Sequence, residues 1–242
     1  MRLWEIDFAR GVAVVLMLFY HFLFDAQFFG KLSLEGEFWY FFPRFIGSMF
    51  IFISGYTLAV TKKSFRRILR KVAKLSAVAA FISFSTWLLF DEMMVWFGII
   101  HFFAVATLLV YPLASKPLAS LTAAFAAFAA STFLPRDVDT YSLLWLGLAP
   151  GSFATLDYYP LLPYVGFMFL GASLGNFHRT TGLSLRDPIS LLGRNSLKVY
   201  LIQHPLIVAI LCLIYPDIFN DIVELYEDVL GDLYLLNLNP LR

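Results

Sequence analysis

Cysteine is almost missing from this chain, and so is charge. A single residue, Cys212, rules out an internal disulfide and any metal cluster built on several thiolates, and leaves that thiol as packing in an apolar helix. Charged side chains occupy only 14% of the 242 positions, and the net charge of +1 offers nothing to a nucleic acid. No hydrophilic stretch reaches domain size. No internal repeat, lipidation box or small-residue cleavage pattern follows the first apolar run, so that run is expected to be retained rather than removed as a signal peptide. What fills the chain instead is hydrocarbon. Hydrophobic residues make up 60% and aromatics 18% of it, and the mean hydropathy is +0.75, against roughly 45–50% apolar usage in soluble domains. The composition is that of an integral membrane protein.

Apolar runs of about 20 residues mark membrane spans. Seven are expected, near 8–29, 40–60, 72–90, 94–113, 117–134, 160–177 and 197–216. The fold class is therefore all-α, a polytopic transmembrane helix bundle. Residues 141–150, YSLLWLGLAP, are too short to cross and suit an outer interfacial or re-entrant segment. The tail after 216 repeats apolar residues at helical spacing with acids between them, as a surface-lying amphipathic helix does. This divides the chain into a bundle, 1–216, and a tail, 217–242.

Lysine and arginine set the orientation. The run 62–74, KKSFRRILRKVAK, holds seven basic residues and belongs in the cytoplasm, which puts the N-terminus inside and the C-terminus outside. In that topology 14 of the 18 basic residues fall inside and 14 of the 17 acids outside. The basic face suits anionic headgroups or an anionic ligand. The expected location is the cell membrane.

Against this background the stretch RGVAVVLMLFYHFLFD, residues 10–25, stands out. His21 and Asp25 share a helix face, and an imidazole oriented by a carboxylate is a general-base arrangement. His101, in FGIIHFF on the fourth helix, is expected in the same outer-half layer by its rise along the helix. Ionisable groups inside a membrane cost several kcal/mol unless they face the bundle interior, and they mark functional paths. The plainer role for His21 and His101 is a neutral imidazole joining two helices. Arg10 and Asp7 can equally form a headgroup-level pair, Asp157 can cap the helix that Pro160 starts, and Asn195 with Ser196 reads first as an N-cap pair.

The segment EIDFARGVAVVLMLFYHFLFD resembles the first helix of transmembrane acyltransferases, in which an Arg-Gly pair precedes a histidine eleven residues on. Both the acyltransferase-three family and the prokaryotic relatives of heparan-α-glucosaminide N-acetyltransferase begin this way. The second group is matched further by FIFISGYTLAV, WFGIIHFFAVA, LDYYPLLPYVGFMFLGASLG and LLGRNSLKVYLIQHPLI, in order. The resemblance implies transfer of an acyl group, acetyl first of all, from acetyl-CoA or another acyl-CoA to an acceptor on the other side, a sugar or glycolipid among the candidates. Under it, His21 is the base with Asp25 fixing its tautomer and His101 nearby, or His21 carries the acyl group covalently. Arg10, Arg194 and Lys198 would meet the CoA phosphates, and Asp157 and Tyr158 would face the acceptor. One departure is plain: the related families read histidine then glutamine before the proline of the last helix, where this chain has Gln203 then His204. A proton-coupled transporter or a non-catalytic scaffold of the same fold would also hold buried histidines. No metal is expected, because His21, His101 and Asp25 do not follow a recognised ligand spacing. Besides the lipid bilayer and acyl-CoA, a second copy of the chain is a compatible partner.

Overall fold

The computed structural model describes residues 3–90, 93–135, 138–179 and 187–224. The α-helices run in the order α1 (Trp4–Phe28), α2 (Glu37–Thr61), α3 (Phe65–Phe90), α4 (Ile99–Val110), α5 (Pro117–Phe133), α6 (Leu161–Gly175), α7 (Pro188–Arg194) and α8 (Ser196–Ile214). Among the described residues there is no β-strand; Phe97 and Tyr158 form an isolated parallel bridge. The helices α1, α2, α3 and α8 are long and apolar enough to cross a membrane. Three shorter apolar helices, Ile99–Leu113, Pro117–Phe133 and Leu161–Gly175, coincide with the other expected spans.

The shorter helices fall below the roughly 30 Å of a bilayer core, since 15 residues rise only about 22 Å. Irregular chain precedes two of them. The extended segments before α4 and α6 lie side by side, with Leu156 N–H on the Met93 carbonyl at 3.1 Å and Tyr159 N–H on the Phe97 carbonyl at 3.0 Å. Leu161 and Leu162 donate to the carbonyls of Trp145 and Leu146. Residues 142–147, in the expected interfacial or re-entrant segment, form successive turns. These backbone bonds are what permits non-helical chain inside a membrane protein.

Contacts at the helix ends establish an alternating course. Arg10 of α1 reaches Thr57 of α2, Trp4 donates to Asp187 just before α7, and Ser173 of α6 donates to the Pro117 carbonyl at the start of α5. At the other end Lys31, just beyond α1, pairs with Asp217 beyond α8. The 62–74 run belongs to the first group of ends, at the α2–α3 turn, so one end of the bundle is strongly basic. Asp187 caps α7 through the Ser190 N–H at 2.8 Å. The Trp4 indole and that cap hold its carboxyl down at about 2.

Two interfaces bring backbones together. A Cβ on Gly55 of α2 would strike the Met168 carbonyl of α6, and one on Gly171 of α6 would strike the Phe52 carbonyl of α2. The same relation joins α1 and α7 through Gly11 and Gly193. Without a hydrophobic drive inside lipid, such close packing is a main source of helix association. Ile51, Leu58, Phe102, Val165 and Met168 form the largest core cluster between α2, α4 and α6, while α3 turns Phe81 and Phe84 outward at 67% and 59% exposure, as lipid-facing side chains are. Beyond α8, residues 218–224 are helical and bury Ile218 against Ala26 and Leu211. The rest of the expected amphipathic tail, 225–242, lies outside the described residues, as do Arg2, Arg136 and Arg186 of the charge count.

Candidate functional site

Three polar clusters run along the bundle. At the basic end Asp7 is buried and takes two arginines: Arg194 Nε lies 3.1 Å from Oδ2 and Arg10 Nη1 lies 3.5 Å from Oδ1. Arg10 Nη2 also donates to Thr57 Oγ1 at 3.0 Å. The expected Asp7–Arg10 pair therefore exists, but as half of a partly buried triad across α1 and α7. Lys71 shares the inward stripe of α3 with Ile68, Val72 and Leu75, while its neighbours Arg66, Arg67 and Arg70 are exposed. Lys198 is exposed on α8. Asn195 makes no N-cap bond and instead donates back to the Leu191 carbonyl, closing α7.

The second cluster holds the histidine that the sequence singled out. His21 Nδ1 lies 2.8 Å from the Met17 carbonyl one turn below. A carbonyl only accepts, so Nδ1 carries the proton and Nε2 is left with its lone pair. Asp25 does not touch His21. Both of its carboxylate oxygens lie 3.0 Å from His204 Nδ1, across the interface with α8. The expected tautomer control of His21 by Asp25 is thus corrected: a main-chain carbonyl orients His21, and Asp25 orients His204. The two rings stand edge to face, with centroids 4.8 Å apart. Asp25 is buried at 6% exposure, whereas the His204 side chain is 48% exposed.

His101 belongs to a third cluster and makes no hydrogen bond or ring contact with His21 or Asp25. Its Nδ1 accepts the Gly98 N–H at 3.3 Å, which leaves Nε2–H to donate to Ser83 Oγ at 3.1 Å. Ser83 Oγ–H in turn donates to the Val95 carbonyl at 2.6 Å. Both nitrogens are occupied in joining α3 to the start of α4. Asp157 lies beside this joint and caps α4, not α6: its Oδ2 accepts the Ile99 N–H at 2.8 Å and stands 3.4 Å from the Tyr200 hydroxyl of α8. Tyr158 is a wall residue whose hydroxyl donates to the Leu144 carbonyl at 2.8 Å.

Burial pushes the Asp157 carboxyl up to about 6, with the Ile99 N–H and Tyr200 hydroxyl only partly offsetting the cost of the charge. A carboxyl raised above its unfolded value binds more protons folded than unfolded between about pH 4 and 6, so this group makes stability fall as pH rises through that window. Asp157→Asn is expected to remove that decline, worth roughly 3 kcal/mol. Thermal unfolding of both proteins in detergent across pH 4–7 measures it, and parallel profiles would refute the assignment.

Tyr200 ties the clusters together. It packs on Val14, Met17 and Ile46 on one side and on Ile99 and Ala104 on the other. One turn further along α8 come Gln203 and His204. A cavity of about 190 Å³ lined by Glu5, Tyr56 and His178 opens near the basic end, and another of about 180 Å³ lies against His101 and Ser76. His21 lines neither. The sequence reading passed over His178, whose Nδ1 sits 2.8 Å from the Tyr56 hydroxyl, and left His204 without a partner. The signal for His204 was present all the same, an ionisable residue inside the last apolar run.

A helical bundle with membrane-length apolar helices and a histidine–carboxylate cluster spanning its first and last helices fits a membrane-embedded transferase. The chain belongs to the family described as heparan-alpha-glucosaminide N-acetyltransferase, catalytic, whose model matches residues 2–205. No curated protein and no solved structure matches it. The match makes this a protein of a membrane acetyltransferase family, one whose donor is in general acetyl-CoA.

Proposed function

We propose that the protein is a cell-membrane acyltransferase with seven spans, N-terminus inside and C-terminus outside, that moves an acetyl group from cytoplasmic acetyl-CoA to a hydroxyl or amine reaching the bundle from the outer side. The observation that supports this most is the meeting of His21, His204 and Asp25 between α1 and α8. The donor phosphates suit the basic end, where Arg10, Arg194, half-buried Lys71 and the exposed cations of the 62–74 run outnumber the acids Glu5, Asp7 and Asp187. Guanidinium forks match phosphate oxygens there, with Lys198 as an exposed point charge. Asp157 and Tyr158, between the fifth and sixth spans, lie on the acceptor's side in this orientation.

His21 Nε2 is the base in this mechanism. The acceptor gives its proton to that nitrogen while its oxygen or nitrogen bonds to the thioester carbonyl carbon. The tetrahedral adduct then collapses, the C–S bond breaks, and the imidazolium returns the proton to the departing thiolate. The products are the acylated acceptor and free CoA thiol. His204, held by Asp25, flanks the same space. His101 acts as a positioning residue for α4, through Ser83 and the Gly98 N–H.

Protein in liposomes, given acetyl-CoA at the basic face and an amino sugar or glycolipid at the other, is expected to release CoA thiol in proportion to acetylated acceptor. Proton-coupled solute flux with no acetyl-CoA consumption for any acceptor would replace this reading with that of a transporter. Asp25→Asn removes the charged partner of His204, and turnover is expected to fall about 100-fold with little change in KM. Unchanged turnover in that variant would remove Asp25 and His204 from the mechanism.

A further inference from the structure

Gln203 is 1% exposed, and neither its Nε2 nor its Oε1 has a hydrogen-bond partner. It lies on the buried stripe of α8 with Ile207 and Leu211, three residues beyond Tyr200 and directly before His204. A primary amide buried with both ends unpaired costs free energy that an apolar side chain of the same shape would not. Such a group marks a place where something else supplies the bonds.

The two unpaired ends define the ligand's chemistry. Nε2 needs an acceptor and Oε1 needs a donor. A thioester carbonyl answers only the first and would leave Oε1 orphaned. An amide-bearing ligand answers both, a carbonyl taking the Nε2 proton and an N–H giving to Oε1. The pantetheine arm of CoA carries two amides joined by a two-carbon link, between its phosphates and its sulfur. The order of groups along α7 and α8 follows the same sequence: Arg194 at the basic end, then Gln203 about 10 Å of helix rise beyond Ser196, then His204 beside His21.

We propose that Gln203 is a donor-binding residue that grips the amides of the pantetheine arm, and so selects amide-bearing thioesters and sets the depth at which the acyl carbon meets His21. This rests on the acyl-CoA reading above. The residue touches the arm and not the reacting carbon, so its effect belongs mainly in KM.

The test compares three acetyl donors, acetyl-CoA, S-acetylpantetheine and an acetyl thioester of equal length whose arm is an ether without amides, on the wild type and on Gln203→Met. Methionine keeps the side-chain length and removes both polar ends. Q203M is expected to lose roughly 100-fold in kcat/KM with the two amide-bearing donors, to be unchanged with the ether thioester, and to unfold at the same temperature as the wild type or higher. Gln203→Asn, with both amide atoms on a shorter stem, is expected to recover part of the selectivity. An equal loss with all three donors, no loss with any, or failure of Q203M to fold would overturn the proposal, since each makes the amide structural or idle. If the wild type releases no thiol from any of the three, the acyltransferase reading itself falls, and this assignment with it.

Discussion

His21→Ala is expected to lower acetyl-CoA turnover about 1,000-fold, within the 10²–10⁴ range of a lost general base. The ring is oriented by its own helix, because the Met17 carbonyl accepts from Nδ1–H and leaves the Nε2 lone pair free of it. Donor binding, assigned in the proposed mechanism to Arg10 of α1 and Arg194 of α7, should survive the change. The expected signature is therefore a fall in kcat with KM for acetyl-CoA nearly constant. Acid quenching of a single turnover distinguishes the two chemical routes: acetyl label retained on the wild-type protein and absent from the variant would establish an acyl-histidine. Wild-type turnover by the variant would end the case for His21 in either role. His101→Asn serves as the contrasting variant. It keeps a polar group beside Ser83 and Gly98, and its effect should appear in thermal stability rather than in kcat.

The largest effect on folding is expected at the α2–α6 interface. Gly55→Ala or Gly171→Ala places a methyl inside a main-chain carbonyl of the facing helix, Met168 in one case and Phe52 in the other. Backbone cannot yield as a flexible side chain can, so the helices must separate along a packed core that includes Ile51, Leu58 and Met168. A loss of about 4 kcal/mol or more is expected, seen as loss of the monodisperse folded fraction after extraction. Gly30→Ala is the control. Gly30 has φ +66° but nothing within 4 Å of an added Cβ, so it bears only the conformational cost, about 1 kcal/mol. Equal behaviour of the two kinds of variant would mean that close backbone contact does not hold α2 to α6.

Hydropathy picked out seven apolar segments because such a signal does not depend on packing, and each coincides with a helix in the structure, four of them long enough to cross a membrane. The i, i+4 rule placed Asp25 on the face of His21, yet it could not choose between that local partner and one from another helix. His204 is 179 residues away in the chain. The exchanged order of Gln203 and His204 shows the same limit. It was visible as a departure from the related families, but its consequence depends on what α8 faces: His204 meets Asp25, and Gln203 turns into the core with both polar ends unpaired. His101 is the converse case. Depth along the helix suggested a shared layer with His21, while its ring is spent on Ser83 and Gly98.

Composition, span length and the run at 62–74 were enough to determine a helical membrane protein with one basic end, and the ordered blocks between residues 5 and 207 pointed to the family whose model matches residues 2–205. These properties sum over residues and do not depend on which neighbour each one meets. Which carboxylate serves which histidine, that Asp7 binds two arginines, that Asp157 caps α4 and that Gln203 is left unsatisfied were decided only by tertiary structure. Each is a directional bond between side chains distant in sequence, and its partner is fixed by how the helices pack rather than by spacing along any one of them.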